Sequence, residues 1–165
     1  MLFSVVCVSD RCSRGECEDQ SGPLISAIVS GLGETAEYII VPDEKEEISA
    51  ALAHLCDDVK CDVVFTTGGT GFAPRDVTPE ATKAVIEKEV PGIPAAILFE
   101  SLKITPRAML SRAVAGIRGK TLIVNLPGSP KAVTESLDVV LPVLTHAAET
   151  LSGNTQSCGG DYGKK

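Results

Sequence analysis

Four short stretches are apolar without alternating: LFSVVCVS at 2–9, AEYIIV at 36–41, DVVFTT at 62–67 and TLIVNL at 121–126. Such β-branched-rich runs predict strands buried on both faces, which helices must then cover. Leu24, Ile28 and Leu32 keep an i, i+4 stripe, as do Ile48, Leu52 and Leu55 or Cys56 in the next segment. This alternation of strand and helix predicts right-handed crossovers and a mostly parallel α/β sheet with helices on both faces. AVAGI at 113–117, the link Arg118-Gly119-Lys120 and TLIVNL predict an antiparallel hairpin, so the sheet is expected to be mixed.

Helix starts are marked by polar caps. Asp43 with Glu46 reads as a D-x-x-E capping box, and Thr78-Pro79 and Ser129-Pro130 each pair a cap with Pro at the first helical position. The last helix carries Val133, Leu137, Val140, Leu141 and Leu144 on one face and is expected to kink at Pro142, whose ring meets the carbonyl of Asp138. Beyond it the chain turns polar and Gly-rich. Residues 1–153 are therefore expected to form one domain and 154–165 a flexible tail.

With 44% hydrophobic residues, 22% charged, 4% aromatic and no Trp, the core must be aliphatic. A net charge of -7 argues against non-specific binding to nucleic acid or anionic membrane. Yet Lys103, Arg107, Arg112, Arg118, Lys120 and Lys131 follow one another with no acid between 103 and 131, either a solvated face or a local anion site. Leu2 to Val8 is too short for a signal peptide and nothing is long enough to span a membrane, so a cytoplasmic protein is expected. The six cysteines form no CxxC pair and are expected to be reduced thiols; Cys12 and Cys17 share a loop where a soft metal is the alternative to plain thiols.

Where the third apolar run ends, the chain reads TTGGTGFAPRD at 66–76 and then TPEAT. Gly68, Gly69 and Gly71 between a buried parallel strand and a helix N-terminus suit a nest of main-chain amides for an anion such as phosphate, with hydroxyls from Thr66, Thr67 and Thr70. Ser9 and Asp10 close the first strand at the same edge. No Gly-Lys-Ser/Thr follows, and Pro74 breaks G-x-G-x-x-G, so the standard nucleotide motifs do not fit. On spacing alone an anion nest and a plain glycine turn both remain open.

TTGGTGFAPRDVTPEAT resembles the signature of the molybdopterin adenylyltransferases, a family that includes MogA and the G domain of gephyrin. The resemblance extends through VSDRCSRGECEDQSG, VPDEKEEI, MLSRAVAGIRGKTLIVNLPGSPKAV and LPVLTHAAETL, nearly the whole chain. MLSR, GIRGKTLI and NLPGS look nearer to the gephyrin-like branch than to the bacterial one. The resemblance implies a three-layer α/β domain, homotrimeric, that transfers AMP from MgATP to the terminal phosphate of molybdopterin, releases pyrophosphate and hands the product on for metal insertion. It further implies Asp43 and Asp76 as catalytic residues and Mg2+ ligands, with Glu80 at the border of the metal site. Thr67, Gly68, Gly69, Thr70, Gly71, Ser9 and Asp10 would hold the nucleotide. Ser111, Arg112, Pro127, Gly128 and Ser129 would hold the second substrate.

That chemistry suits the composition. A phosphate oxygen attacking the α-phosphorus of ATP is already ionised and needs no strong base, and the two histidines, His54 and His146, fall on helices with surface or packing roles. Positioning and charge neutralisation would carry the reaction. Bland readings stand beside these: Asp43 as a helix cap, Asp76 favouring a helix dipole or pairing with Arg75, and Ser129 as a cap. Alternatives to an enzyme are a silent scaffolding module of gephyrin type, or a binder whose partner does the chemistry. Whether the chain is stand-alone or part of a fusion is open.

Overall fold

The computed structural model describes residues 1–153. Strands β1 (Leu2–Val8), β2 (Glu34–Val41), β3 (Val63–Thr67), β4 (Lys88–Glu89), β5 (Ala115–Arg118) and β6 (Thr121–Leu126) form one sheet in the order β2-β1-β3-β6-β5-β4. The first four in that order are parallel, while β5 runs antiparallel to both β6 and β4, so the expected hairpin makes the sheet mixed. Its turn is Gly119, held at φ 57.

The two-residue period of the strands divides the core. Phe3, Val5, Val63, Phe65, Leu122 and Val124 face helices α2 (Ser21–Val29) and α6 (Pro130–Ser152). Val6, Val8, Val64 and Ile123 face α3 (Lys45–Asp57) and α4 (Thr78–Val85). Three layers result, with an apolar core on each side, aliphatic except for the stacked pair Phe3 and Phe65. A short helix α1 (Asp10–Ser13) follows β1, and α5 (Gly92–Leu102) with a 3-10 turn (Pro106–Leu110) occupies a stretch where the apolar pattern predicts no element.

Several local expectations change. β2 lies at the sheet edge, so its residues alternate between exposed and half-buried instead of being covered on both faces. In α2 the buried stripe is Ile25 and Val29, with Leu24 and Ile28 only packed against it, and Leu32 lies beyond the helix. Asp43 does not cap α3: Glu44 precedes the helix without a side-chain bond, and the Asp43 carboxylate turns instead to the amide of Asp10. Thr78 does not cap α4 either; it is the first helical residue, and its hydroxyl donates to the carbonyl of Gly68 at 3.0 Å. Ser129 does cap α6, accepting from the amide of Ala132. That helix continues through Pro142 to Ser152, its apolar face still buried at Leu144 and Ala148.

Cys12 and Cys17 are joined by a disulfide, against the expectation of free thiols. The cause is local: Gly15, at φ 73, reverses the chain after α1, and main-chain bonds from Gly15 to Cys12 and from Glu16 to Arg11 bring the two Cα atoms to 4.8 Å. Cys7, Cys56 and Cys61 are free and buried. The tail expected at 154–165, with Cys158, lies outside the described residues.

Candidate functional site

Parallel strands β1, β3 and β6 end together, and three loops meet at that edge, where α/β sheets bind ligands. The glycine loop after β3 is built by its carbonyls. Gly68 O accepts from the Thr78 hydroxyl and Gly69 O from the Thr78 amide at 3.1 Å. Thr70 O accepts from the Arg112 amide at 3.0 Å and Gly71 O from Arg112 Nε at 2.7 Å. Because C=O and N–H point oppositely across a trans peptide, the amides of Gly69, Thr70, Gly71 and Phe72 are aimed away from those partners. An anion nest has this form.

Two glycines are needed for their dihedrals, with φ 95 at Gly68 and φ 64 at Gly69. The third answers to close approach: a Cβ on Gly71 would sit 2.8 Å from Asp76 Oδ2, and one on Gly69 would sit 3.2 Å from Asp43 Oδ1. The two acids therefore flank the loop. Asp43 Oδ2 accepts from the Asp10 amide at 2.8 Å, and Asp76 Oδ2 from the Ala73 amide at 3.0 Å. The other oxygen of each has no hydrogen-bond donor among the described residues.

That donor set fits Mg2+, which takes one or two carboxylates and completes its shell from phosphate oxygens and water. The described residues contain no group of three or more acidic, Cys or His side chains able to hold a metal by themselves. Glu80, expected beside the metal, is instead ion-paired with Arg112.

Burial, followed by the nearby carboxylates of Asp10 and Asp76, pushes the Asp43 carboxyl above its ordinary range. A carboxyl with a raised folded value destabilises the fold when ionised: the penalty is absent in acid and grows as pH rises through that value. Asp43→Asn is therefore expected to raise Tm near pH 7.5 by a few degrees at most, a gain that shrinks as pH falls and is gone below about pH 3, as calorimetry across pH would show. Its carbonyl oxygen can still accept from Asp10. Asp10 shows the opposite shift, held below the carboxylate range by the Arg75 guanidinium.

The remaining nominated residues divide. The Thr67 hydroxyl donates to Pro127 O at 2.8 Å while the residue lines a cavity beside the loop, and Thr66 accepts from Asn125 Nδ2 at 3.0 Å and is buried. Gly128 packs on Gly68 and accepts from Ser21 Oγ at 2.9 Å. Ser111 is exposed and accepts from the Ala113 amide. Ser9 caps α1, accepting from Cys12. Arg112 is spent as a strut: besides Gly71 and Glu80, its guanidinium bonds the carbonyl of Asp76. The other basic residues do not converge. Arg118 pairs with Asp57, Lys103 with Glu100 and Lys131 with Glu135.

Two cavities open on either side of the loop. One, of about 300 Å³, is lined by Cys7, Ser9, Cys12, Glu18, Thr67 and Gly128. The other, of about 450 Å³ and more apolar, is lined by Thr70, Gly71, Leu98, Arg107, Ser111 and Pro127. Asp19, at the first cavity, is not a free ligand. Although burial opposes its ionisation, the Tyr38 hydroxyl and the amides of Ser21 and Gly22, the first two of α2, hold its carboxylate below the usual range. Cys7 is inert, its thiol pushed up to about 12 by burial and then by Asp19.

Sequence reasoning missed Arg75 as an organiser and Glu18 as a cavity residue; the PRD triplet was the available signal for the first, and nothing marked the second.

Residues 4–146 match a family model described as "Probable molybdopterin binding domain". The molybdopterin adenylyltransferase of Helicobacter pylori strain J99 is 47% identical over 92% of this chain and 88% of its own length. Gephyrin of Dictyostelium discoideum is 46% identical over 94% of this chain, which spans 23% of that protein. These identities do not separate a gephyrin-like branch from a bacterial one. The crystal structure of the molybdopterin biosynthesis enzyme MoaB from Thermus thermophilus superposes with a TM-score of 0.87 at 46% identity, covering 92% of this chain and 96% of that one. With this match across nearly all the described residues, the chain belongs to the molybdopterin-binding family of molybdenum cofactor biosynthesis proteins that includes the molybdopterin adenylyltransferases.

Proposed function

We propose that the chain transfers the adenylyl group of ATP to the terminal phosphate of molybdopterin and releases pyrophosphate. The observation that carries this reading is the glycine loop itself: outward amides, flanked by Asp43 and Asp76, between two cavities. Two substrates joined at a phosphate need such a plan, with phosphates over the loop and a larger group on either side. The amides of Gly69, Thr70 and Gly71 would hold phosphate oxygens, and Ser9 and Asp10 line the approach from β1.

Asp43 and Asp76 would hold Mg2+ through their free oxygens. That ion would draw charge from the triphosphate as the α-phosphorus is attacked. On one side the cavity wall around Ile97 and Leu98 is apolar. Arg112 keeps Gly71 and Asp76 in place, and Ser111, Pro127, Gly128 and Ser129 shape the second substrate's side of the loop.

A silent scaffolding module would need neither acid, and both are present with an oxygen to spare. Incubating the purified chain with molybdopterin and MgATP is expected to give adenylylated molybdopterin and an equivalent of pyrophosphate. Binding of both ligands without pyrophosphate would leave only a binding module.

The homotrimer rests on α5, which buries none of its own residues. Phe99 on that helix, Ile104 in the link after it and Met109 on the 3-10 turn are 65%, 53% and 62% exposed. An apolar surface of this kind on an acidic protein suits cover by neighbouring copies. Sedimentation is expected to give three times the protomer mass, and a monomer at micromolar concentration would overturn it. No helix among the described residues is long and apolar enough to cross a membrane. We place the reaction in the cytoplasm, with the product passed to a molybdenum-insertion domain or protein.

A further inference from the structure

The loops that follow β1, β2 and β3 are tied together by one side chain. Arg75 donates from Nε and Nη2 to the two carboxylate oxygens of Asp10, at 3.0 and 2.9 Å, and from Nη1 to Glu44 at 2.8 Å. Asp10 in turn exchanges bonds with Asp43: its amide reaches Asp43 Oδ2 at 2.8 Å, and its Oδ1 accepts from the Asp43 amide at 3.1 Å. Arg75 is the chain neighbour of Asp76. Its guanidinium thus fastens the loop that carries Asp76 to the loops that carry Asp10 and Asp43.

We infer that Arg75 is a positioning residue for adenylyl transfer, setting the spacing of Asp43 and Asp76 through the planar geometry of its fork. The inference rests on the enzymatic reading above. The Arg75 side chain is 53% exposed and its partner Glu44 48%, so these ion pairs contribute little to stability. What they supply is geometry, since three bonds from one rigid plane converge on two loops. The nearby acids Asp10, Asp43, Glu44 and Asp76 repel one another, and without the fork nothing else among the described residues joins Asp10 to the Asp76 loop.

Two roles for this cation predict opposite results. If Arg75 acted only by its charge, removing it would strengthen binding of a divalent cation to the acids, and Lys would substitute for it. If it acts by geometry, removal weakens that binding and Lys fails, because an ammonium cannot make the bidentate contact.

The test is titration of Mn2+ into the full chain with saturating ATP, followed by electron paramagnetic resonance, for the parent, Arg75→Ala and Arg75→Lys. Both variants are expected to need about ten- to hundredfold more Mn2+ for half-saturation, with Tm within a few degrees of the parent. Parent-like binding by Arg75→Lys, or tighter binding by Arg75→Ala, overturns the inference. Should the Ala variant fail to fold, the Lys variant carries the test alone. A parent that binds no Mn2+ with ATP overturns the enzymatic reading and this inference with it, whereas parent binding unaffected by Arg75→Lys overturns only the inference.

Discussion

Asp76→Asn keeps the fold and lowers adenylyl transfer by about a hundredfold or more. Asn retains an oxygen for the Ala73 amide, so the turn that places residue 76 next to Gly71 is preserved. It loses the negative charge and the stronger metal-binding oxygen. The distinction lies between a local structural role, which Asn fulfils, and a role in holding the metal, which it does not. Thermal unfolding and the rate of pyrophosphate release, measured together, decide it. Unchanged turnover would remove Asp76 from the mechanism, and a collapsed fold would make it a structural residue.

Gly69→Ala produces the second large effect, and it acts on stability and binding at once. A left-handed backbone at φ 64 is unfavourable for Ala, and the added carbon meets Thr78 Oγ1, whose hydroxyl holds the carbonyl of Gly68. The expected destabilisation is about 1–3 kcal/mol, a fall in Tm of roughly 4–10 °C for a domain of this size. Because the loop's carbonyl anchors shift, its amides lose their aim, and nucleotide affinity is expected to drop about a hundredfold. Gly119→Ala is the matched control. It shares a positive φ, 57, but a carbon there meets nothing within 4 Å, so a small loss of Tm with unchanged nucleotide affinity is expected. Equal losses of affinity in the two variants would show that the Gly69 effect comes from general destabilisation.

The layered fold was legible where one residue's surroundings follow from its own neighbours in sequence. Val63 to Thr67 announces a strand covered on both faces, and Ser129-Pro130 announces a helix start; both are local statements and both hold. The meeting of Ser9, Asp10 and the glycine loop at one edge also followed, because parallel strands end on the same side, whereas Asp43 was placed there by the family resemblance alone. Local statements fail where a distant partner competes. Thr78 and Asp43 look like caps, but Gly68 and Asp10, ten and 33 residues away, take their side chains. The stripe at Leu24, Ile28 and Leu32 mistook a flank for the buried face, since Ile25 and Val29 meet α6 and the sheet. β2 reads as buried because its apolar content resembles that of β1, whereas edge position depends on strand order. The basic stretch from 103 to 131 left a local anion site open, but Arg112 precedes β5, Arg118 ends it, and the two serve different acids. The nomination of Arg112 rested on the family resemblance; its partners Gly71, Asp76 and Glu80 lie 32 to 41 residues away and no spacing rule reaches them. Cys12 and Cys17 needed the reversal at Gly15, which composition does not reveal.

Helix α5 supplies Pro94, Ala95, Ile97 and Leu98 to the wall of the larger cavity while burying no residue of its own. Ile93 and Ile97 pack this wall against the core from inside, while its outer side, with Phe99, is left exposed for whatever lies against it. With the proposed homotrimer covering that side, specific activity is expected to fall on dilution by mass action, so a turnover number would have to be quoted with the concentration at which it was taken.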